Sequence, residues 1–255
     1  MAKMYDSGFY EMVASGVERS AARIAPMITQ WIGPQRIIDV GCGDGRWLAA
    51  FKNAGVEEIF GVDGNWVEAD DLVIDYNSFS AVDLENPSEL KELARKNFDL
   101  AISLEVAEHL SPDRAEEFVA TLTYLAPVVL FSAAIPAQGG VDHRNERWAS
   151  YWVSLFQAQN FTAVDVIRPK IWEDAAVDTW YKQNTLLYIK KEYLHNFSGL
   201  EAHKAGTYAP INIIHPNSYL QKTADSDPAR MSLVNTLKKL PQIVGSALSR
   251  KIGRR

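Results

Sequence analysis

Short apolar runs recur along the chain, each closed by a polar or turn-forming residue, and stretches with helical spacing fall between them. Arg36–Val40, Glu57–Val62, Phe79–Val82, Phe98–Leu104 and Val128–Ala133 are too short for helices and predict buried strands. Phe161–Ile167 and Thr185–Lys190 predict two more, joined by Arg168–Asn184 with its Trp172, Trp180 and Tyr181. Tyr5–Ile32 places Phe9, Met12, Val13, Val17, Ile24, Met27 and Ile28 at helical spacing, and Gly33-Pro34 stops it. Trp47–Lys52, Asp113–Leu125 and the Trp- and Tyr-rich Glu146–Gln159 also predict helices, the last preceded by a Gly/Pro-bearing loop over Ile135–Asn145. Residues 195–225 show no clear period. Strands alternating with helices predict an α/β fold: one mostly parallel sheet of seven strands flanked by helices.

Composition narrows the picture. A chain of 255 residues suits one α/β domain with additions, and 47% hydrophobic residues with seven tryptophans supply a sizeable core. The single cysteine, Cys42, excludes an internal disulfide framework and fits a reducing, cytoplasmic setting. Neither a signal peptide nor a membrane-spanning run is expected: Met1–Gly16 carries Asp6 and Glu11, and no apolar stretch approaches the length required. A net charge of −6 and a pI near 5.4 argue against nucleic acid as a partner. The charge is uneven, because residues 226–255 hold seven Lys/Arg and one acid. That tail, with apolar Leu233, Val234, Leu237, Leu240, Ile243, Val244 and Leu248, could rest on an anionic membrane face or a partner. The plain alternative is a solvated terminus.

Chemistry enters where the first strand ends. Asp39-Val-Gly41-Cys-Gly43-Asp-Gly45 closes that strand and opens a helix, and glycines at this spacing let the backbone turn tightly and approach a ligand. A dinucleotide site wants its third glycine one place later, where this chain has Arg46. A nicotinamide site or a generic glycine turn stays open on this motif alone. The next three strands end in Asp63, 24 residues after Asp39, in Asp83-Leu84, and in Leu104-Glu105. An acid closing the second strand of a doubly wound sheet can accept both hydroxyls of a ribose.

Together these ends resemble the class I S-adenosylmethionine (SAM)-dependent methyltransferases, over about residues 30–192. The resemblance implies a Rossmann-like fold and a SAM site formed by Asp39, Gly41, Gly43, Gly45, Asp63, Asp83, Leu84 and Leu104. Within it, Asp63 takes the ribose, Asp83 and Leu84 the adenine, and the N-terminal helical segment covers the cofactor. The expected organisation is a methyltransferase domain over 1–195 and an extension with the basic tail over 196–255.

A second constellation follows the fourth strand. In Glu105-x-x-Glu108-His109, a helix starting here would put the three side chains on one face. Two carboxylates and an imidazole can hold a divalent cation such as Mg²⁺ or Mn²⁺, and two acids side by side repel without one. The pattern resembles metal-dependent O-methyltransferases of the small-RNA 2′-O and ubiquinone-pathway families, which add a histidine from the loop after strand five. His143 is the matching residue here, giving a candidate set of Glu105, Glu108, His109 and His143. Two alternatives stand beside it: a metal-free site with His109 or His143 as general base, and a purely structural role. His195, His203 and His215 lie outside any constellation.

The expected reaction is methylation of a hydroxyl on a small-molecule or saccharide acceptor. The region from Gln138 to Trp152 and the later Trp180-Tyr-x-Gln-Asn184 look like bacterial methyltransferases linked to surface polysaccharide or glycosylated metabolites. Their Trp and Tyr side chains are either stacking platforms or core. Methylation of an amine or a phenolic natural product without a metal is the competing expectation, and a non-catalytic SAM-binding subunit a more distant one. Oligomeric state is not legible in these residues.

Overall fold

The computed structural model describes residues 7–86, 88–93, 97–205 and 210–226. Seven strands form one sheet: β1 Arg36–Val40, β2 Glu58–Asp63, β3 Phe79–Ala81, β4 Leu100–Leu104, β5 Val128–Ser132, β6 Phe161–Val164 and β7 Leu186–Lys190. Their order is β3-β2-β1-β4-β5-β7-β6, with β1 to β5 parallel and β7 antiparallel to both of its neighbours. This is the Rossmann-like, mostly parallel sheet expected of a class I methyltransferase fold.

Helices α1 Ser7–Ile32, α2 Arg46–Asn53, α3 Ser88–Leu93, α4 Ala115–Leu125, α5 Ala149–Ala158, α6 Arg168–Ile171 and α7 Thr179–Asn184 accompany the sheet. The strands are apolar on both sides because both faces are covered. Successive residues alternate between two cores: Ile38, Val40, Ala101 and Phe131 join one, with Phe118, Trp152, Phe156 and Tyr188. Ile37, Leu100, Ile102 and Leu130 join the other, with Ile24, Ile28, Trp47, Leu48 and Phe51. The period of two along each strand thus fastens helices to both faces.

Strand order reverses between β1 and β4, which places the C-terminal ends of these strands around an open crevice, the usual ligand position in such sheets. Register brings the ends together: Asp39 lies opposite Gly61 on β2 and Ile102 on β4.

The structure corrects several expected boundaries. No helix begins at Glu105; that residue has a left-handed φ of 56°, and a turn closed by the His109 amide on the Val106 carbonyl follows. Helical geometry resumes only with a 3₁₀ turn at Pro112–Arg114 leading into α4. The helix expected from Glu146 starts at Ala149, and Glu146 belongs to the loop. Residues 203–205, near the start of the expected extension, pair with β6. His203 accepts from the Asp165 amide, the Ala205 amide donates to Ala163, and Lys204 bridges Val164 beside β6. The first compact unit runs to Ile213; a second begins at Ile214, and its described part holds α8, Pro216–Ser226. The basic tail from residue 227 lies outside the described residues.

Candidate active site

The loop after β1 is held by backbone bonds to β2: the Gly41 and Cys42 amides both donate to the Val62 carbonyl, at 2.8 and 3.1 Å. Gly41 and Gly43 have φ of 88° and 53°, values that side chains resist. A Cβ on Gly41 would drive into Val106, whereas one on Gly43 would meet nothing within 4 Å. Gly41 is therefore a packing glycine, and Gly43 faces open space at the strand ends. Gly45, with φ of 88°, caps α2 and packs against Ile74. The Cys42 thiol is buried and touches the space over Gly61; burial pushes its pKa up, so it stays protonated.

Asp63 closes β2 beside this loop. Its two carboxylate oxygens accept the Gly43 and Gly64 amides, each at 2.7 Å, and lone pairs remain for two further donors. Burial raises its pKa while those amides oppose the rise. Asp39 is deeper still, 1% exposed, and its Oδ2 has no partner. Burial first, and the Asp63 charge second, raise its carboxyl well above the ordinary range. On the adjacent strand end, Asp83 is exposed and folds back on the Glu85 amide at 3.0 Å, while Leu84 is buried. Leu104, 8% exposed, ends β4 across the crevice.

A second cluster is built from side chains brought in by two loops, those after β4 and β5. Glu108, His109 and His143 each place one potential ligand atom within 4.8 Å of the other two. The imidazoles meet edge to face, with ring centroids 4.8 Å apart. Glu108 is fully buried; the Glu108 and Ala134 amides and the Glu105 carboxyl lie near its carboxylate, but neither oxygen makes a well-formed hydrogen bond. Burial, with the nearby Glu105 carboxylate second, pushes its pKa well up. Burial and then His143 lower the pKa of His109, favouring the neutral ring that can donate a lone pair. A poorly satisfied buried carboxylate facing two imidazoles fits a divalent cation, because ionising it without one is costly.

Glu105 lies beside Glu108 but outside the group of three whose ligand atoms converge. Its carboxylate accepts Gln138 Nε2 at 2.8 Å and Asn184 Nδ2 at 3.0 Å, and its amide donates to Ser132. Gln183 and Asn184, at the end of α7, complete an amide cluster with Gln138. Tyr181 on the same helix packs edge-on against Trp47, the second residue of α2. Of the aromatics offered as stacking platforms, Trp152 and Tyr181 are core, and Trp148 is 38% exposed.

No local sequence pattern marks Glu146 as a partner of His143. Its carboxylate receives the Ala137 and Gly139 amides at 2.8 and 2.6 Å and meets His143 Nδ1 at 3.0 Å. A carboxylate on Nδ1 leaves Nε2 as the lone-pair atom and orients the ring. Its one sequence signal, a carboxylate three residues past the histidine, falls at the start of the predicted helix.

Comparison with known proteins bears on this geometry. A family described as "Methyltransferase domain" matches residues 11–175. Among solved structures, a SAM-dependent methyltransferase from Archaeoglobus fulgidus is similar, with a TM-score of 0.50 at 21% identity over 61% of this chain and 75% of that one. Streptomyces venezuelae DesVI also gives 0.50, at 12% identity over 71% of this chain and 94% of its own. At these identities the likeness is one of fold. A curated relative, a tRNA U34 carboxymethyltransferase from Stutzerimonas stutzeri (strain A1501), is 41% identical over 46 residues. That match covers 18% of this chain and only 14% of the relative's length.

Proposed function

The chain belongs to the methyltransferase-domain family, and from that premise we propose that it transfers a methyl group from SAM to a hydroxyl of a small acceptor, with a divalent cation held by Glu108, His109 and His143. A sugar, glycosylated metabolite or polysaccharide is the first choice of acceptor. The observation that carries the cation is the Glu108 carboxylate, buried with no well-formed hydrogen bond on either oxygen beside two imidazoles. Two nitrogens and one oxygen favour Mn²⁺, Fe²⁺, Co²⁺ or Zn²⁺ over Mg²⁺, which prefers oxygen alone. When bound, such an ion supplies Lewis acidity toward the acceptor hydroxyl.

The protein's own groups would do the rest. The SAM sulfonium is already electrophilic, so alignment is the main task, and placement can be worth ~7–11 kcal/mol. Asp63 would accept the ribose hydroxyls while its amide partners hold it in place. Gly43 leaves room for the nucleoside, and Asp83 and Leu84 flank the adenine position that the resemblance implies. Glu146 keeps His143 in one tautomer, and Glu105, clamped by Gln138 and Asn184, walls the crevice beside Glu108. The net charge of −6 supports a small acceptor rather than nucleic acid, and a cytoplasmic setting, with the basic tail as a peripheral membrane contact, completes the proposal. Among the described residues no helix is long and apolar enough to cross a membrane.

A second route rests on the His143–Glu146 contact. An imidazole oriented by a carboxylate can serve as general base without an ion, toward an amine or phenol. Chelation separates the two. Treatment with EDTA should abolish methyl transfer to a sugar acceptor and Mn²⁺ should restore it; full turnover in the chelated protein would leave the imidazole route standing.

A further inference from the structure

One arginine joins three of the loops that build the site. The Arg144 and Asn145 amides donate to the Glu108 carbonyl at 2.8 and 2.9 Å. The Arg144 guanidinium then spreads outward: Nε donates to the His109 carbonyl at 2.9 Å, Nη1 to Ser111 Oγ at 3.4 Å, and Nη2 to Glu85 Oε1 at 2.7 Å. That same Glu85 oxygen also accepts the Ser111 amide and hydroxyl, at 3.1 and 3.0 Å. Glu85 itself follows Asp83-Leu84 and donates its amide to Asp83.

The connections run between segments with different tasks. Arg144 is the neighbour of His143 in the loop after β5, Glu108 and His109 lie in the turn after β4, and Glu85 lies in the turn after β3. The Arg144 side chain is 55% exposed, and an exposed ion pair of this kind adds little to stability. What the planar fork offers is geometry, since three donors in fixed relation tie three backbone segments together.

We propose that Arg144, braced by Glu85, is a positioning residue that sets His143 against Glu108 and His109 and couples cation binding there to nucleoside binding at Asp83-Leu84. The inference rests on the cation site proposed above. Tightening of the β3 turn around a nucleoside passes through Glu85 to the guanidinium, and from it to the carbonyls of Glu108 and His109. Reciprocity requires that the cation also tighten nucleoside binding by the same factor.

Calorimetry with Mn²⁺ and with S-adenosylhomocysteine, each alone and in the presence of the other, tests this. In the unaltered protein each ligand should improve the other's affinity about fivefold, the low end of ordinary coupling. Arg144→Ala should weaken Mn²⁺ about tenfold, as second-layer changes around metals do, and erase the coupling. Binding of S-adenosylhomocysteine alone should stay within about twofold. Glu85→Gln, which keeps an acceptor but removes the charge, should halve the coupling while leaving the fold intact, and Arg144→Lys should recover little because it lacks the fork. Unchanged Mn²⁺ affinity and coupling in both the Arg144→Ala and Glu85→Gln proteins would overturn the proposal. Absence of Mn²⁺ binding in the unaltered protein, with S-adenosylhomocysteine still bound, would instead sink the cation site itself and the proposal with it.

Discussion

Two buried acids on the C-terminal side of the sheet, one closing β2 and one in the turn after β4, receive opposite treatment. Asp63 has a backbone amide on each oxygen, whereas Glu108 has a hydrogen bond on neither. The first is supplied from within, by Gly43 of the loop after β1 and by Gly64, its own successor, so it is ready for neutral donors such as ribose hydroxyls. The second has another carboxylate, Glu105, as its charged neighbour, and a cation from outside would relieve both. A carboxylate left in that condition costs stability in the free protein, and it is kept where a ligand repays the cost.

Removing Glu108 is the largest break in this contrast. Glu108→Gln should cut methyl transfer by on the order of 10²–10³, the size seen when one preorganised electrostatic partner is lost. The same change should raise the melting temperature of the cation-free protein by a few degrees, since a buried group costing ~1–3 kcal/mol is relieved. A fall in melting temperature would mean that the carboxylate is satisfied in solution. Asp63→Asn comes next and should act oppositely. Loss of charged hydrogen bonds worth ~1.5–3 kcal/mol should weaken S-adenosylhomocysteine by ten- to a hundredfold in calorimetry, with Mn²⁺ affinity unmoved. If Mn²⁺ binding drops as well, the two acids are not independent.

Glu146→Gln is a smaller perturbation, on His143 rather than on an acid. It should weaken Mn²⁺ about tenfold and leave the nucleoside alone, measurable by the same titration. Smallest in stability is Gly43→Ala, where the new methyl meets open space and only the left-handed backbone resists, at about 1–2 kcal/mol. Thermal denaturation should show a loss of only a few degrees, while nucleoside affinity falls further than stability does. Equal losses in both would place Gly43 with Gly41 as a packing residue.

How far each acid could be read in advance follows the same division. The Asp63 side is local: a strand, a glycine turn and an acid at the next strand end are all carried by short patterns, and the structure sets them where the patterns put them. The Glu108 side depends on contacts between distant segments. The i, i+3, i+4 spacing at Glu105, Glu108 and His109 suggested a shared helical face, but Glu105 adopts a left-handed φ and turns toward Gln138 and Asn184, 33 and 79 residues away. Nothing in the local pattern announces those partners. Arg144 and Glu85, 59 residues apart, are invisible for the same reason, and Glu146 is hidden because the predicted helix includes it whereas α5 begins three residues later.

The protonated thiol sealed beneath the glycine loop has a practical consequence. Because Cys42 is the chain's lone cysteine and is both buried and inert, a cysteine introduced at an exposed site such as Tyr124 would react alone with maleimide reagents. Fluorophores or spin labels can therefore be attached to the native background without first deleting a natural sulfhydryl.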